Sequence, residues 1–244
     1  MAPWGDPNSI HNLRPLPGVT STAKGPAKIY RSSVPGKLQL SAPELCAVDG
    51  IGTVIDLREP EEILQRPDTL PEHVGYINIP LYRGPVPRDE PILQVYSRLI
   101  TQRGAQLVCV LKAVTMALDD GVLIHCTAGK DRTGLVAALV LSVAGIDRDI
   151  IVADYARSAD ELPDSYHAQV ATEMSSQWDT SSEEFSQALR LHTLSPASAM
   201  RHLLEHLDHR YGSVARFLDC VGFSLPEQRV LAEHLHARRE PKGA

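Results

Sequence analysis

In the run His125-Cys126-Thr127-Ala128-Gly129-Lys130-Asp131-Arg132-Thr133-Gly134, five residues separate a cysteine from an arginine. A thiolate is a strong nucleophile, and a planar guanidinium fork binds two phosphoryl oxygens at once, which a lysine cannot do. Together they suit attack on phosphorus through a cysteinyl-phosphate intermediate, which splits one difficult hydrolysis into two easier steps. Cys126 is the candidate nucleophile and Arg132 the candidate clamp. Residues 126–132 (Cys126, Thr127, Ala128, Gly129, Lys130, Asp131 and Arg132) form the candidate phosphate-binding set. His125 is expected to orient the loop through a ring hydrogen bond rather than act as a base. The Thr133 hydroxyl adds a donor beside the thiolate.

The flanking elements supply the reason for this expectation. Val122-Leu123-Ile124 is a short apolar run after Gly121 and reads as a buried strand. Residues 135–144 are apolar on nearly all sides, the pattern of a buried helix, and Gly145 ends it. The loop therefore turns from the carboxyl end of a strand into the amino end of a helix. Consecutive N–H groups there can face inward as an anion nest, and the helix dipole adds partial positive charge. Gly129 and Gly134 permit close backbone approach. A lone buried cysteine is usually a small core residue. The joint presence of nest, cysteine and arginine is what favours phosphate chemistry.

Release of the leaving group calls for a general acid. Asp131 ranks first, because the loop itself sets it beside the phosphate. Asp89, in the proline-rich segment Gly84-Pro85-Val86-Pro87-Arg88-Asp89, ranks second as part of a segment able to cover the pocket. Asp56, at the end of a strand, ranks third. Each also reads as a solvated or structural carboxylate: Asp131 as an ordinary acidic residue at a helix start, Asp56 as a partner of Arg58.

Around this loop the chain alternates. Strands are expected at 29–31, 53–57, 76–79 and 122–124. A capping box at Ser41-Ala42-Pro43-Glu44 opens one helix, and Pro60 opens another. Leu107, Leu111, Val114 and Leu118 share one helical face ahead of the cysteine strand. The alternation predicts an α/β fold: a mainly parallel central sheet flanked by helices on both sides, with ligands at the carboxyl ends of the strands. From about residue 147 the pattern is all helical, with further starts at Ser181-Ser182-Glu183-Glu184, Ser195-Pro196 and Ser224-Leu225-Pro226-Glu227. Residues 1–244 read as a single domain, with 1–25 as an amino-terminal arm rich in Pro, Gly and Asn.

The decapeptide matches the His-Cys-x5-Arg-Ser/Thr-Gly loop of the protein tyrosine phosphatase superfamily. Four other blocks, Ile29-Tyr30-Arg31-Ser32-Ser33, Thr53-Val54-Ile55-Asp56-Leu57-Arg58, residues 147–155 and Tyr211-Gly212-Ser213, occur in the order seen in its atypical bacterial tyrosine/lipid phosphatases. The chain resembles that subgroup from about residue 12 to 235. The resemblance implies metal-free, cofactor-free hydrolysis of phosphotyrosine, with phosphoserine, phosphothreonine and phosphoinositides as further substrates. By residue match it gives Cys126 as nucleophile and Arg132 as clamp. Lys130 and Asp131 stand at the subgroup's Lys-Asp positions, and the lysine suits a pocket that tolerates extra negative charge. The Trp-Pro-Asp tripeptide that supplies the acid in many relatives is missing here, which leaves the acid open. The resemblance also implies a helical lid over 162–194, with an ordinary packed helical subdomain as the alternative. Two other functions fit an anion nest: a non-catalytic phosphate-binding module, and a thiol-based sulfurtransferase or redox protein. The intact Cys126/Arg132 pair weighs against the first and Arg132-Thr133-Gly134 against the second.

Composition narrows the partners. A formal charge of −6 argues against nucleic acid. No stretch is apolar enough to span a membrane, and no signal peptide is recognisable, so a cytoplasmic location is expected, with unconventional export left open. The sequence leaves the oligomeric state unassigned. Cys46, Cys109 and Cys220 read as reduced core residues. His202, His206 and His209 recur at helical spacing, which reads as a solvated face rather than a metal site.

Overall fold

The computed structural model describes residues 10–19, 29–35 and 50–235. Its strands are β1 (Arg14–Pro15), β2 (Ile29–Ser32), β3 (Thr53–Asp56), β4 (Gly75–Asn78) and β5 (Val122–His125), in the spatial order β1-β2-β5-β3-β4. All neighbours run parallel except β1, which pairs antiparallel with β2 at the edge. The four expected strands are present. β1 lies inside the segment read as an irregular arm: two residues are too few for alternation, and Pro15 reads as a breaker although an edge strand accommodates it.

Register sets up the site. Ser32 and Asp56 both lie level with His125, and Asn78 lies level with Asp56. This row forms the carboxyl edge of the parallel strands, and Cys126 follows directly. Side chains alternate between faces as strand geometry requires. Ile29, Ile55, Val122 and Ile124 join the main core, whereas Val54 and Leu123 join a smaller cluster with Ile51 and Val74.

The described helices are α1 (Pro60–Gln65), α2 (Ile92–Gln102), α3 (Gly104–Ala117), α4 (Asp131–Val143), α5 (Arg148–Asp160), α6 (Asp164–Ser175), α7 (Glu183–Thr193), α8 (Ala197–Tyr211), α9 (Val214–Val221) and α10 (Leu225–His234). α4 buries every residue from position 132 to 141, matching its all-round apolar pattern. Each large side chain there contributes roughly 1.5–3 kcal/mol, so the loop at its amino end stands on a rigid base. Among the described residues no helix is long and apolar enough to cross a membrane.

Pro60 opens α1, and the Ser224/Glu227 box opens α10, with Ser224 N donating to Glu227 Oε2 at 2.8 Å. The start of α7 falls one residue later than expected. Ser182 caps it by accepting from Phe185 N at 3.0 Å, because Asp179 takes both the N–H and the hydroxyl of Ser181. The box at Ser41 and residue Cys46 lie outside the described residues. Cys109 and Cys220 are exposed rather than in the core. On α3 the buried positions Leu107, Val108, Val110 and Leu111 turn residue 109 outward.

Candidate active site

The loop 126–130 owes its shape to what holds its carbonyls. His125 Nδ1–H donates to Cys126 O at 3.3 Å, and Val34 N donates to Thr127 O at 3.0 Å. Asn12 Nδ2 donates to Ala128 O at 3.1 Å and Gly129 O at 2.9 Å, and Arg31 Nη2 donates to Gly129 O at 2.7 Å. In a planar trans peptide the N–H points opposite the carbonyl. Tying these carbonyls to the scaffold therefore turns the N–H groups of 127–130 the other way, into the concavity. Gly129 has φ +67°, and a Cβ there would lie 2.2 Å from Ser32 O. Only glycine fits.

The scaffold behind the loop is charged. Asp154 binds Arg14 Nε through Oδ1 at 2.8 Å and Arg31 Nη1 through Oδ2 at 2.5 Å, and the Ser158 hydroxyl accepts from both guanidinium groups. Asn12 belongs to the same cluster, its side-chain oxygen accepting from Arg14. Residues 12–14 and the sequence blocks at 29–33 and 147–155 thus meet on the back of the loop. A Cβ on Gly134 would lie 2.7 Å from the Tyr155 ring, so that glycine admits the ring. The Tyr155 hydroxyl reaches Asp131 Oδ1 at 3.4 Å.

Beneath the loop lies a second buried network. Arg58 binds Asp56 Oδ2 and Asp68 Oδ2, each at 2.7 Å, and the Tyr76 hydroxyl donates to Asp56 at 2.8 Å. His125 Nε2 stands 3.4 Å from Asp68 Oδ2 and 3.8 Å from Asp56 Oδ1. Burial pushes the His125 pKa down against the pull of both carboxylates, so the ring is neutral at pH 7. Burial alone would raise the Asp56 carboxyl; His125 and the Arg58 guanidinium bring it down to about 2. With the ring neutral, the guanidinium holds that carboxylate at pH 7. Asp56, Asp68 and His125 have the spacing of a cation site. Arg58 already supplies the positive charge between the two carboxylates. Asp56 therefore faces this network and not the loop's concavity.

On the concave side Cys126 is buried at the base and Arg132 closes the far end. The Arg132 fork is engaged: Nη1 donates to Glu62 Oε2 at 2.6 Å and Nη2 to Glu62 Oε1 at 2.7 Å. Burial opposes the Arg132 charge, yet the Glu62 carboxylate outweighs it and raises the guanidinium pKa further. The guanidinium also stacks 4.6 Å from the centroid of the Tyr82 ring. Thr127 donates its hydroxyl to Glu62. Thr133 is fully buried, and its hydroxyl has no hydrogen-bond partner among the described residues. Glu62 carries no chemical signature in the sequence. It belongs to the acidic run after Pro60 and reads there only as a first-turn residue of α1, a role it also fills by accepting from Glu59 N at 2.9 Å.

Asp131 lines the same concavity with Lys130, whose ammonium group contacts both Asp131 oxygens at 2.9 Å. Asp89 is exposed, and its segment reaches the concavity through Val86 and Pro87 instead. The remaining cover comes from Tyr82, Tyr166, Leu191 and His192, leaving a cavity of about 60 Å³. Tyr166 belongs to α6, while Leu191 and His192 belong to α7. These helices share a small apolar cluster of Leu162, Tyr166, Val170, Met174 and Ala188, which takes in Ala128 of the loop. A wider cleft of about 720 Å³ adjoins the cavity at Glu62, Thr127 and His192. His202 and His209 are exposed on α8 and His206 is half-buried, all away from this site.

Residues 6–237 match the model of the Tyrosine phosphatase family. The chain is 28% identical to the triple specificity protein phosphatase PtpB of Mycobacterium tuberculosis, over 87% of this chain and 95% of that protein. It is 30% identical to a tyrosine-protein phosphatase of Nostoc commune, over 60% of this chain and 53% of the relative. Among solved structures it is similar to P. aeruginosa TpbA at a TM-score of 0.39 and 18% identity, covering 76% of this chain and 96% of that one.

Proposed function

Because the chain belongs to the tyrosine phosphatase family and is an enzyme of that family, we propose that Cys126 is its nucleophile, Arg132 its phosphate clamp and Asp131 its general acid. The Cys126 thiolate attacks the phosphorus of a phosphomonoester held by the loop N–H groups. The P–O bond to the leaving group breaks, and Asp131 delivers its proton to the departing oxygen. Water then attacks the cysteinyl-phosphate, Asp131 takes the water's proton, and phosphate leaves with the thiolate regenerated. No metal or cofactor enters this scheme. Positioning and charge stabilisation are the main demands of phosphoryl transfer, and the cradle offers both.

The observation that carries the reading is the outward tethering of the loop carbonyls, which commits the opposite edges of the same peptides to an anion beside Cys126. Asp131 is favoured over Asp56 and Asp89 because it lines the concavity with Cys126 and Arg132. The substrate is a phosphotyrosine protein, with phosphoserine, phosphothreonine and phosphoinositides as further substrates, in keeping with the triple specificity named for the mycobacterial relative. The proposed setting is the cytoplasm. A panel of phosphopeptides and phosphoinositides, assayed with wild type and Cys126→Ser in parallel, tests the reading. Turnover confined to wild type supports it, and equal turnover by the variant removes Cys126 from the chemistry.

A further inference from the structure

Lys130 spends its charge on Asp131 and on the end of α7. Its side chain is 1% exposed. The ammonium group contacts four oxygens: Asp131 Oδ1 and Oδ2 at 2.9 Å, and the carbonyls of Leu191 and Leu194 at 2.8 Å. With three donors, it is saturated. Leu191 and Leu194 lie in the last turn and C-cap of α7, where carbonyls have no partner within the helix and the dipole is negative. A buried cation there is the strong fixing available to that helix end. Its other polar ties are neutral or exposed: the Tyr166 hydroxyl donates to His192 O at 3.2 Å, His192 Nε2–H donates to Arg88 O at 3.2 Å, and, from the turn before α7, Gln177 accepts from Arg88 Nη1 at 2.8 Å.

The same helix end closes the site. The cavity of about 60 Å³ is far below the roughly 300–1,000 Å³ of ordinary ligand pockets. Leu191 and His192 form part of its wall, so outward movement of the end of α7 widens it. Lys130 lines the cavity too. An oxyanion in that cavity would offer the Lys130 ammonium group a full charge in place of two neutral carbonyls.

We propose that Lys130 is an anion-released latch: it pins the carboxyl end of α7 over the cavity and lets go when an oxyanion occupies the cradle. It acts as a positioning residue for the cover, whatever it also does for substrate. The inference rests on the cradle reading given above.

Hydrogen exchange of the amides of 183–194 tests it in the full chain. Lys130→Met should speed exchange in α7 at least tenfold, while α4 and α8 keep wild-type protection. Saturating orthovanadate should speed α7 exchange in wild type and add nothing in Lys130→Met. Wild-type protection of α7 in the methionine variant would overturn the latch. So would slower α7 exchange in wild type with orthovanadate, an arm that stands even if the variant does not fold. Absence of orthovanadate binding to wild type, read by calorimetry, would remove the cradle reading together with anion release. The methionine variant would still report separately on whether Lys130 pins α7.

Discussion

Glu62 and Arg132 meet fork to fork inside the cradle, with both Nη atoms of the guanidinium committed to the two carboxylate oxygens. Burial would raise the Glu62 pKa, but Arg132 more than offsets it, so the carboxylate stays charged. An incoming phosphoryl group must therefore share or displace a carboxylate already bound where its own oxygens belong. Glu62→Gln removes that charge and keeps the shape. Relief of one like-charge contact at about 4 Å is worth from about 1 kcal/mol in bulk water to about 4 kcal/mol at an effective dielectric of about 20, so roughly fivefold at the least. The inhibition constant for inorganic phosphate at pH 7 should fall by at least that factor. An unchanged or higher constant would place Glu62 outside the anion's position and make it a support for the guanidinium.

Cys126 sits at the bottom of the same cradle, buried and directly after the strand edge. Cys126→Ser should lose hydrolysis by several orders of magnitude and still bind phosphopeptide, since the N–H groups and Arg132 are untouched. Iodoacetamide should alkylate wild type with stoichiometric loss of activity, and phosphate should slow it. The exposed Cys109 and Cys220 provide an internal contrast: their modification should leave turnover intact. Loss of activity that tracks labelling of Cys109 or Cys220 would count against Cys126.

Much of this site is readable from residue order. The apolar strand, the Cys-to-Arg spacing and the all-round apolar α4 each follow from local pattern, and their geometry agrees. Glu62 is not readable, because its partner is 70 residues away and an acidic residue early in a helix already has a sufficient local explanation. The back of the loop is similar. Asn12, Arg14, Arg31 and Asp154 come from three distant segments, and only the fold makes them neighbours. Periodicity reports which face of an element is apolar, and it is blind to which charged residues the topology brings into one buried cluster. The short strand β1 escapes for a different reason, having two residues and one proline.

Asp131 is the carboxylate that the loop itself places in the cavity lining, and its Lys130 contacts fix its orientation. If it protonates the leaving oxygen, Asp131→Asn should depend on leaving-group basicity. Turnover of an alkyl phosphate should fall about 10²–10⁴-fold, and that of p-nitrophenyl phosphate far less. The check is the slope of log kcat/KM against leaving-group pKa, which should steepen in the variant. Equal losses across the series would move the acid to another group.

The Asp56 network gives a pH dependence of defined sign. In the folded protein its carboxyl is held at about 2, below the ordinary value of 3.8. A depressed carboxyl contributes stability that is fully present above pH 4 and lost as the pH falls toward 2. The groups facing it are Arg58, Tyr76 and His125, with Asp68 bound to the same Nη2 of Arg58. The linkage is worth roughly 2 kcal/mol. Denaturant unfolding of wild type and Asp56→Asn between pH 7 and 2.5 should show a gap that is constant above pH 5 and narrows by about that amount below pH 4. A gap that stays constant to pH 2.5 would mean that His125 and Arg58 do not hold the ionised form.

Two glycines of nearly equal φ separate backbone strain from steric exclusion. Gly129 has φ +67°, and a Cβ there would lie 2.2 Å from Ser32 O and 2.6 Å from Ser33 N. Gly145 has φ +72° and nothing within 4 Å of the same atom. Alanine at either position meets the left-handed penalty of about 1–2 kcal/mol. At Gly129 it must also push a loop that is bonded to β2 and Asn12, and neither neighbour is a flexible side-chain tip. Gly145→Ala should therefore cost only about 1–2 kcal/mol and leave kcat/KM unchanged. Gly129→Ala should cost more than about 2 kcal/mol and, by displacing the N–H groups from the phosphorus position, lower kcat/KM by about 10²-fold or more. Denaturation midpoints and steady-state kinetics of the pair provide the comparison. Equal tolerance at both sites would mean that the loop's contact with Ser32 does not set the cradle's shape.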